Sequence, residues 1–229
     1  MIISLEGLDA SGKNTQLHLL KARLAEAGMS VASLSFPRYG DTTFSRFVAD
    51  YLNGRLGELD TVPAQVAALL FAGDRMESRD LIAELRAAND VLVLDRYVAS
   101  NLAYQGARVP PEELDGFLRW LSGLEHDLNG LPLVDLTVLL EVPPATSARM
   151  VLRKGARDYT EHAADLHERN EAYLARCHDV YQYLCRSQFR SRWTAVDCVH
   201  PGGEMRPAAD IAADIWRAVE AALPARERS

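Results

Sequence analysis

A glycine-rich loop near the N-terminus has the residue types and spacing of a phosphate-binding site. Gly7 and Gly12 frame the loop, and Lys13 follows directly, which gives the Gly-x4-Gly-Lys spacing of a P-loop. The glycines let the backbone curl so that successive N–H groups point at one anion, and the lysine can reach the outer phosphates of a nucleotide. The loop therefore predicts a site for a nucleoside triphosphate.

The residue after this lysine departs from the P-loop pattern. That position normally carries a hydroxyl that binds Mg²⁺, and here it is Asn14. An asparagine amide oxygen is neutral and differs in geometry from a hydroxyl, while Mg²⁺ is strict about its octahedral geometry. We therefore expect the metal to depend on phosphate oxygens and carboxylates, with Asp9 and Asp95 as the first candidates and Glu161 as a further one.

A second candidate position lies at the end of an apolar run. Residues 91–94 lead straight into Asp95, Arg96 and Tyr97. An acid at the end of a buried strand next to a P-loop is the Walker-B position, where a carboxylate holds magnesium or its water. Taken alone, Asp-Arg-Tyr could equally be a surface turn.

Three arginines in the second half of the chain are spaced four residues apart. Arg149, Arg153 and Arg157 share one face if the helix persists through them. Arginines can neutralise the charge of a phosphoryl group in transfer, although a solvated basic helix face is the plain alternative.

These residues require elements that bring them to one edge of a sheet. Short apolar runs at 2–5, 91–94 and 136–140, and weaker ones at 31–36 and 193–196, predict strands. Helical patterns cover 16–27, 64–86, 111–121, 144–154, 163–185 and 208–223. Strands that alternate with helices predict an α/β fold with a parallel sheet of about five strands and helices on both faces. Phosphate ligands bind beyond the carboxyl ends of such strands.

Composition sets the class of protein. The chain has 229 residues, of which 48% are hydrophobic, and a net charge of -7. We expect a single domain over 1–229, with a loose tail at 224–229 and no nucleic-acid partner, because a nucleic-acid-binding protein is usually basic. Three cysteines in no metal-like cluster predict reduced thiols. The absence of a signal sequence and of a long apolar run predicts a cytoplasmic protein without a membrane partner.

The longest motif carries a family resemblance. Residues 95–106 resemble the thymidylate kinase signature Asp-Arg-Tyr-x-x-Ser-x-x-Ala-Tyr-Gln-Gly at every fixed position. Residues 35–40 look like the family's Phe-Pro-Arg segment, and residues 70–75 look like its Leu-Phe-x-x-Asp-Arg motif. Residues 140–144 resemble the strand end that leads into its lid. The likeness spans roughly residues 2–184.

The resemblance implies a P-loop NTPase-type fold and an activity. The chain would transfer the γ-phosphate of ATP to dTMP, with Mg²⁺, to give dTDP and ADP, and it would act as a homodimer. The ATP-binding residues are then those of the P-loop and two lid arginines: Gly7, Leu8, Asp9, Ala10, Ser11, Gly12, Lys13, Asn14, Thr15, Arg149 and Arg157.

The same resemblance implies roles around dTMP. Phe71 stacks on the thymine, and Arg75 donates to its O4, although Phe71 could be plain helix core and Arg75 a solvated helix charge. Tyr104 closes the sugar side against a ribose 2′-OH. The further dTMP-binding residues expected around the base, sugar and phosphate are Asp9, Phe36, Arg38, Tyr39, Arg96, Ser100, Asn101 and Gln105.

The arginine-rich segment resembles the family's lid, placed at about 149–161. Some family members carry a catalytic arginine in the P-loop, but this chain has Ala10 and Ser11 there, so the lid must supply one. Arg153 is the first choice, which makes the expected catalytic set Asp9, Lys13, Arg96 and Arg153. The aromatic after the lid arginines, Tyr159, is one place off the family's register.

Two other functions remain open on the sequence. A deoxynucleoside kinase also combines a P-loop with a strand-end acid and arginine, but it needs a carboxylate base and no Arg38. A non-catalytic nucleotide-binding module would keep the P-loop but has no reason to retain a base pocket and lid arginines.

Overall fold

The computed structural model describes residues 1–57, 61–154 and 171–223, with the side chains of 152–154 and 171 outside the description. The strands are β1 (Ile2–Glu6), β2 (Val31–Ser35), β3 (Val91–Asp95), β4 (Leu136–Glu141) and β5 (Arg192–Asp197). The helices are α1 (Lys13–Glu26), α2 (Thr43–Leu52), α3 (Ala64–Glu77), α4 (Arg79–Ala88), α5 (Val98–Gly106), α6 (Leu114–Ser122), α7 (Pro144–Lys154), α8 (Glu171–Arg186) and α9 (Ala208–Glu220). A 3₁₀ turn (Pro111–Glu113) precedes α6, and a π-helical segment (Gly123–Leu128) follows it.

The five strands form one parallel sheet in the order β2-β3-β1-β4-β5. The first strand lies in the middle, and Ile3 pairs with Val93 on one side and Leu136 on the other. Leu5 pairs with Asp95, so the end of β3 lies beside the beginning of the P-loop. The predicted sheet and its strand number are confirmed.

Helices cover both faces of the sheet because β1 and β3 are apolar at nearly every position. Side chains of a strand alternate between faces, and Ile3 and Leu5 pack with the apolar residues of α1 and α9. Ile2 and Leu92 point to the opposite face, where α5, α6 and α8 supply the core. The predicted helices on both faces are therefore confirmed.

Two parts of the helix prediction need correction. Residues 64–86 form two helices, α3 and α4, which meet at Ser78, whose hydroxyl donates to the carbonyl of Asp74 at 2.9 Å. The helices α2 and α5 were not predicted, and α5 is buried at every position except Ser100. In the predicted helix at 163–185, residues 163–170 lie outside the described part of the chain.

The three cysteines are free thiols, as expected, and burial raises the pKa of the Cys198 thiol to about 12. No helix in the described part of the chain is long and apolar enough to cross a membrane.

Candidate active site

The P-loop connects β1 to α1 and holds the conformation that an anion site requires. Gly7 has φ +140°, and a Cβ there would lie 2.6 Å from the carbonyl oxygen of Leu140, so a side chain does not fit. Gly12 has φ +89° and caps the N-terminus of α1. Free backbone N–H groups and the helix dipole favour an anion at this end. Asn14 and Thr15 are exposed on the first turn.

Lys13 lies across the loop. Its Nζ donates to the carbonyl oxygens of Gly7 (3.1 Å) and Leu8 (2.8 Å) and to the hydroxyl of Ser11 (3.1 Å). Burial, and after it the charge of Arg96, lowers the Lys13 pKa to about 7, although nearby carboxylates act the other way. A bound phosphate adds negative charge beside the amine and therefore favours its protonated form.

Asp9, Arg96 and Tyr104 form one cluster beside the loop. The Arg96 guanidinium pairs with one carboxylate oxygen of Asp9, and the Tyr104 hydroxyl donates to the other at 2.8 Å. The guanidinium carbon lies 5.2 Å from the centre of the Tyr104 ring. Both oxygens of Asp9 are thus engaged, and a metal on Asp9 would have to compete with Arg96 and Tyr104.

Glu6 is a central residue that sequence reasoning missed. It is fully buried at the end of β1 and accepts from the Tyr97 amide (2.8 Å) and from the hydroxyls of Ser100 (2.6 Å) and Tyr181 (3.1 Å). Burial raises the Glu6 pKa, although these hydrogen bonds and the charge of Arg96 partly oppose the shift. An acid at the end of a strand that is apolar except for Ser4 was the signal in the sequence.

The Phe-Pro-Arg segment is held by an acid on α3. The carboxylate of Asp74 accepts from the Arg38 amide at 3.0 Å and from the Thr42 hydroxyl at 2.5 Å. The Arg38 guanidinium donates to the Ser78 hydroxyl (3.2 Å) and to Asp41 (3.0 Å). Asp74, which belongs to the motif at residues 70–75, therefore fixes the backbone that carries Arg38.

Arg75 and Asn101 are brought together by a second missed residue, Glu125. Arg75 donates through Nε at 2.8 Å and through Nη2 to the two carboxylate oxygens. Asn101 donates to the same carboxylate at 2.8 Å and to the carbonyl of Ala68 at 3.0 Å. All three side chains are buried, so Arg75 is not the solvated helix charge that the sequence left open.

Four other residues predicted to bind dTMP make the following contacts. Phe71 is half-buried and meets Tyr51 edge to face, with ring centroids 6.3 Å apart. Phe36 is buried, with its ring centroid 6.1 Å from that of Tyr97. Gln105 is buried and accepts from Arg108 at 2.8 Å. Tyr39 packs on the small core between α2 and α3.

Comparison with known proteins decides the family. The sequence model of thymidylate kinases matches residues 5–206. The chain belongs to the thymidylate kinase family.

Relatives support the assignment. A thymidylate kinase of Mycobacterium tuberculosis is 36% identical over 203 residues, which cover 88% of this chain and 94% of that protein. One from Bifidobacterium longum is 33% identical over 169 residues, or 72% and 77% of the two chains. The solved structure of thymidylate kinase from Candida albicans matches with a TM-score of 0.70 and 24% identity, over 96% of this chain and 91% of that one. That structure supports the fold.

In this thymidylate kinase family member, Asp95, one of the acids predicted to hold magnesium, has a carboxylate oxygen open to an ion. Its Oδ1 is buried and has no hydrogen-bond partner in the described part of the chain. No cluster of three or more metal-ligating side chains occurs among the described residues. Mg²⁺ commonly uses one or two carboxylates with phosphate oxygens and waters, so a single carboxylate with an open oxygen fits. Glu161 lies outside the described residues.

The segment predicted to form the lid begins on α7. The Ser147 hydroxyl donates to the carbonyl of Asp9 at 2.7 Å and ties the helix to the P-loop. Arg149 is exposed and donates to the Thr146 hydroxyl at 3.0 Å. The backbone of Arg153 belongs to α7, but its side chain lies outside the described part, as do Arg157, Tyr159 and the rest of the predicted lid.

Proposed function

We propose that this chain transfers the γ-phosphate of ATP to dTMP in a magnesium-dependent reaction that yields dTDP and ADP. The observation that carries the proposal is the Asp9–Arg96–Tyr104 cluster at the mouth of the P-loop. Asp9 belongs to the P-loop, and Arg96 and Tyr104 belong to the signature at residues 95–106. The cluster therefore brings the two motifs to one site, where the phosphates of ATP and dTMP can be aligned for in-line transfer.

ATP is the proposed donor, bound by the amides of the loop, by Lys13 and by the N-terminus of α1. The loop presents successive N–H groups and a helix dipole to an anion. Support comes from Gly7, where the loop passes so close to Leu140 that only glycine fits. The rigid loop can hold the β- and γ-phosphates in one orientation.

The dTMP phosphate is the proposed acceptor, bound by Arg38 and Arg96. The planar arginine fork suits a phosphate, and burial together with the charge of Asp9 keeps Arg96 fixed. The Arg96 pKa lies well above its ordinary value, since the effect of Asp9 and other anionic neighbours outweighs that of burial. A phosphate oxygen is already anionic, so no general base is required and the protein acts by positioning and charge neutralisation.

The nucleoside of dTMP is proposed to lie between α3 and α5. Phe71 offers its ring to the base, Arg75 and Asn101 face the base edge, and Tyr104 lies on the sugar side. Support comes from the shared burial of Arg75, Asn101 and Tyr104. Phe36, Tyr39, Ser100 and Gln105 complete the proposed pocket.

Charge on the transferred group is proposed to be neutralised from two sides. Mg²⁺ supplies positive charge on the phosphate oxygens when it is bound, and Asp95 is the residue proposed to hold its water. Asp9 and Glu161 remain further proposed ligands. Arg153 is proposed as the catalytic lid arginine, with Arg149 and Arg157 on ATP, because the P-loop carries no arginine.

A coupled assay that follows ADP tests the proposal with dTMP, dUMP, thymidine and AMP as acceptors. Family membership favours a kinase of dTMP over the deoxynucleoside kinase and over a non-catalytic module. We expect rapid ADP release with dTMP and much slower release with thymidine or AMP. Robust turnover of thymidine with inert dTMP would instead favour the deoxynucleoside kinase.

A homodimer is part of the proposal. Four large apolar side chains are exposed on α2 and α3, namely Phe47 (45%), Val66 (46%), Leu69 (45%) and Met76 (41%). Such a surface fits a subunit contact, and a mass of twice 25.4 kDa in light scattering would support it. A cytoplasmic location is proposed as well, since the free thiols fit a reducing compartment.

A further inference from the structure

Glu125 is not among the site residues that the sequence predicted. It lies in the π-helical segment Gly123–Leu128, and such segments often occur at functional sites. Its side chain is completely buried. A buried carboxylate is costly unless it is paired, and this one is paired with Arg75 and Asn101, the two side chains proposed to face the base edge.

The carboxylate fixes which way the Asn101 amide points. The Nδ2 group faces two acceptors, the Glu125 carboxylate at 2.8 Å and the Ala68 carbonyl at 3.0 Å. Only the NH₂ end of an amide can satisfy two acceptors, so the orientation follows from chemistry. The other end, Oδ1, is buried and has no partner in the described part of the chain. Asn101 therefore has only an acceptor left to offer a ligand.

Glu125 also determines what Arg75 can offer. The carboxylate accepts hydrogen bonds from Nε and Nη2 in a bidentate pair. Nη1 donates to no group in the described part of the chain, and it can only donate. Burial acts to lower the Arg75 pKa, but the charge and hydrogen bonds of Glu125 outweigh it and raise that pKa. Arg75 therefore has one donor left to offer a ligand, and Asn101 has one acceptor.

The remaining Arg75 donor and Asn101 acceptor match one class of pyrimidine. Thymine and uracil present an acceptor at O4 and a donor at N3–H, whereas cytosine presents a donor at its 4-amino group and an acceptor at N3. We infer that Glu125 is a positioning residue: by engaging two donors of Arg75 and the Nδ2 group of Asn101, it sets the donor–acceptor polarity on which the choice of a 4-oxo pyrimidine over cytosine depends. The inference rests on the proposed function, since it concerns the acceptor site for dTMP.

Glu125→Gln tests this directly, with Asp127→Asn as the matched control. The glutamine keeps the size of the side chain but replaces one carboxylate oxygen with an NH₂ group, which donates. At least one donor of Arg75 or Asn101 then loses its acceptor and has to reorient. Asp127 lies in the same π-helical segment but is exposed. Steady-state rates are measured for both variants and the unaltered chain with ATP, Mg²⁺ and either dTMP, dUMP or dCMP.

We expect Glu125→Gln to raise the KM for dTMP and dUMP by about tenfold or more, as loss of charged hydrogen bonds does. The kcat at saturating dTMP should change far less, and the preference for dTMP over dCMP should shrink. Asp127→Asn should leave all these values unchanged. Glu125→Gln with an unaltered KM and preference, or with an equal fall in kcat for every substrate, would overturn the inference.

A measurement on the unaltered chain guards against a variant that does not fold. The 3-methyl derivative of dTMP lacks the N3 donor, and its kcat/KM should fall by about tenfold or more relative to dTMP, because it leaves the Asn101 acceptor buried and unpaired. Equal use of both would overturn the polarity argument. Failure of the unaltered chain to phosphorylate dTMP at all would instead overturn the proposed function together with this inference.

Discussion

At the scale of single residues, Tyr104 combines two properties that can be separated by mutation. Its hydroxyl donates to Asp9 at 2.8 Å, and burial raises its pKa so that the hydroxyl stays protonated. Tyr104→Phe keeps the ring and loses the hydrogen bond, worth about 1 kcal/mol or about fivefold in kcat/KM for dTMP. Tyr104→Ala also opens the sugar side and should relax the preference for dTMP over its ribonucleotide counterpart.

The two variants serve as each other's control in steady-state comparisons of the deoxy and ribo substrates. Tyr104→Phe should keep the preference of the unaltered chain. An unchanged preference in Tyr104→Ala would show that the ring does not exclude the 2′-OH, and Tyr104 would then be a packing residue.

The lowered pKa of Lys13 predicts that nucleotide binding depends on pH. With a pKa of about 7 in the free protein, the amine is charged below pH 7 and loses its charge as the pH rises. Phosphates favour the charged form, so binding above pH 7 takes up a proton, and affinity for ADP should fall between pH 7.5 and 9 with a slope of up to about one log unit per pH unit. Calorimetric titration in buffers of different ionisation enthalpy measures both effects.

Lys13→Met supplies the control for this titration, because it removes the amine altogether. Its affinity for ADP should be weak and nearly independent of pH in the same range. A flat profile in the unaltered chain, without proton uptake, would contradict the role given to Lys13.

At the scale of elements, the contact between α3 and the segment before α2 positions Arg38. Asp74→Ala leaves the Arg38 amide and the Thr42 hydroxyl without their acceptor. This should cost about 1–3 kcal/mol of unfolding free energy and raise the KM for dTMP. Urea denaturation and steady-state kinetics measure the two effects.

Asp41→Ala is the comparison for Asp74→Ala. Asp41 also contacts Arg38, at 3.0 Å, but it is exposed, and an exposed ion pair contributes about 0–1 kcal/mol. Equal effects of the two substitutions would mean that the buried carboxylate has no special role in holding the segment.

The predicted lid can be tested through its proposed catalytic arginine, Arg153. Arg153→Ala should lower kcat by about a thousandfold while the KM for dTMP changes little, because a lid arginine acts mainly on the transition state. Arg119→Ala, an exposed arginine on α6, should be neutral in the same assay. A large loss of kcat in Arg149→Ala with a normal Arg153→Ala would move the role to Arg149.

At the scale of the whole molecule, local patterns predicted the sheet well because its strands are short, apolar and buried. The boundary between α3 and α4 could not be predicted, since Ser78 is neither glycine nor proline and the break depends on contacts with Asp74 and Arg38. The helix α5 was not predicted because polar residues, Ser100, Asn101 and Gln105, interrupt its apolar positions, although eight of its nine residues are buried.

The candidate site also contains residues that the sequence predicted and residues that it did not. The P-loop and the signature were visible because their residues are close in sequence. Glu125 was not visible, because its contact with Arg75 joins residues 50 positions apart and a single acid on a helix carries no local pattern. The end of β1 marked Glu6 as an unusual acid, but no local pattern showed its contact with Tyr181, 175 positions away. Sequence patterns omit the long-range contacts of buried acids.

The most direct test of the whole account is identification of the reaction products. The purified chain is incubated with ATP and Mg²⁺ and either dTMP or thymidine, and the nucleotides are separated by anion exchange. Binding of an acceptor phosphate by Arg38 and Arg96 predicts equal amounts of dTDP and ADP from dTMP, and little product from thymidine. Conversion of thymidine to dTMP, with added dTMP left unphosphorylated, would contradict it.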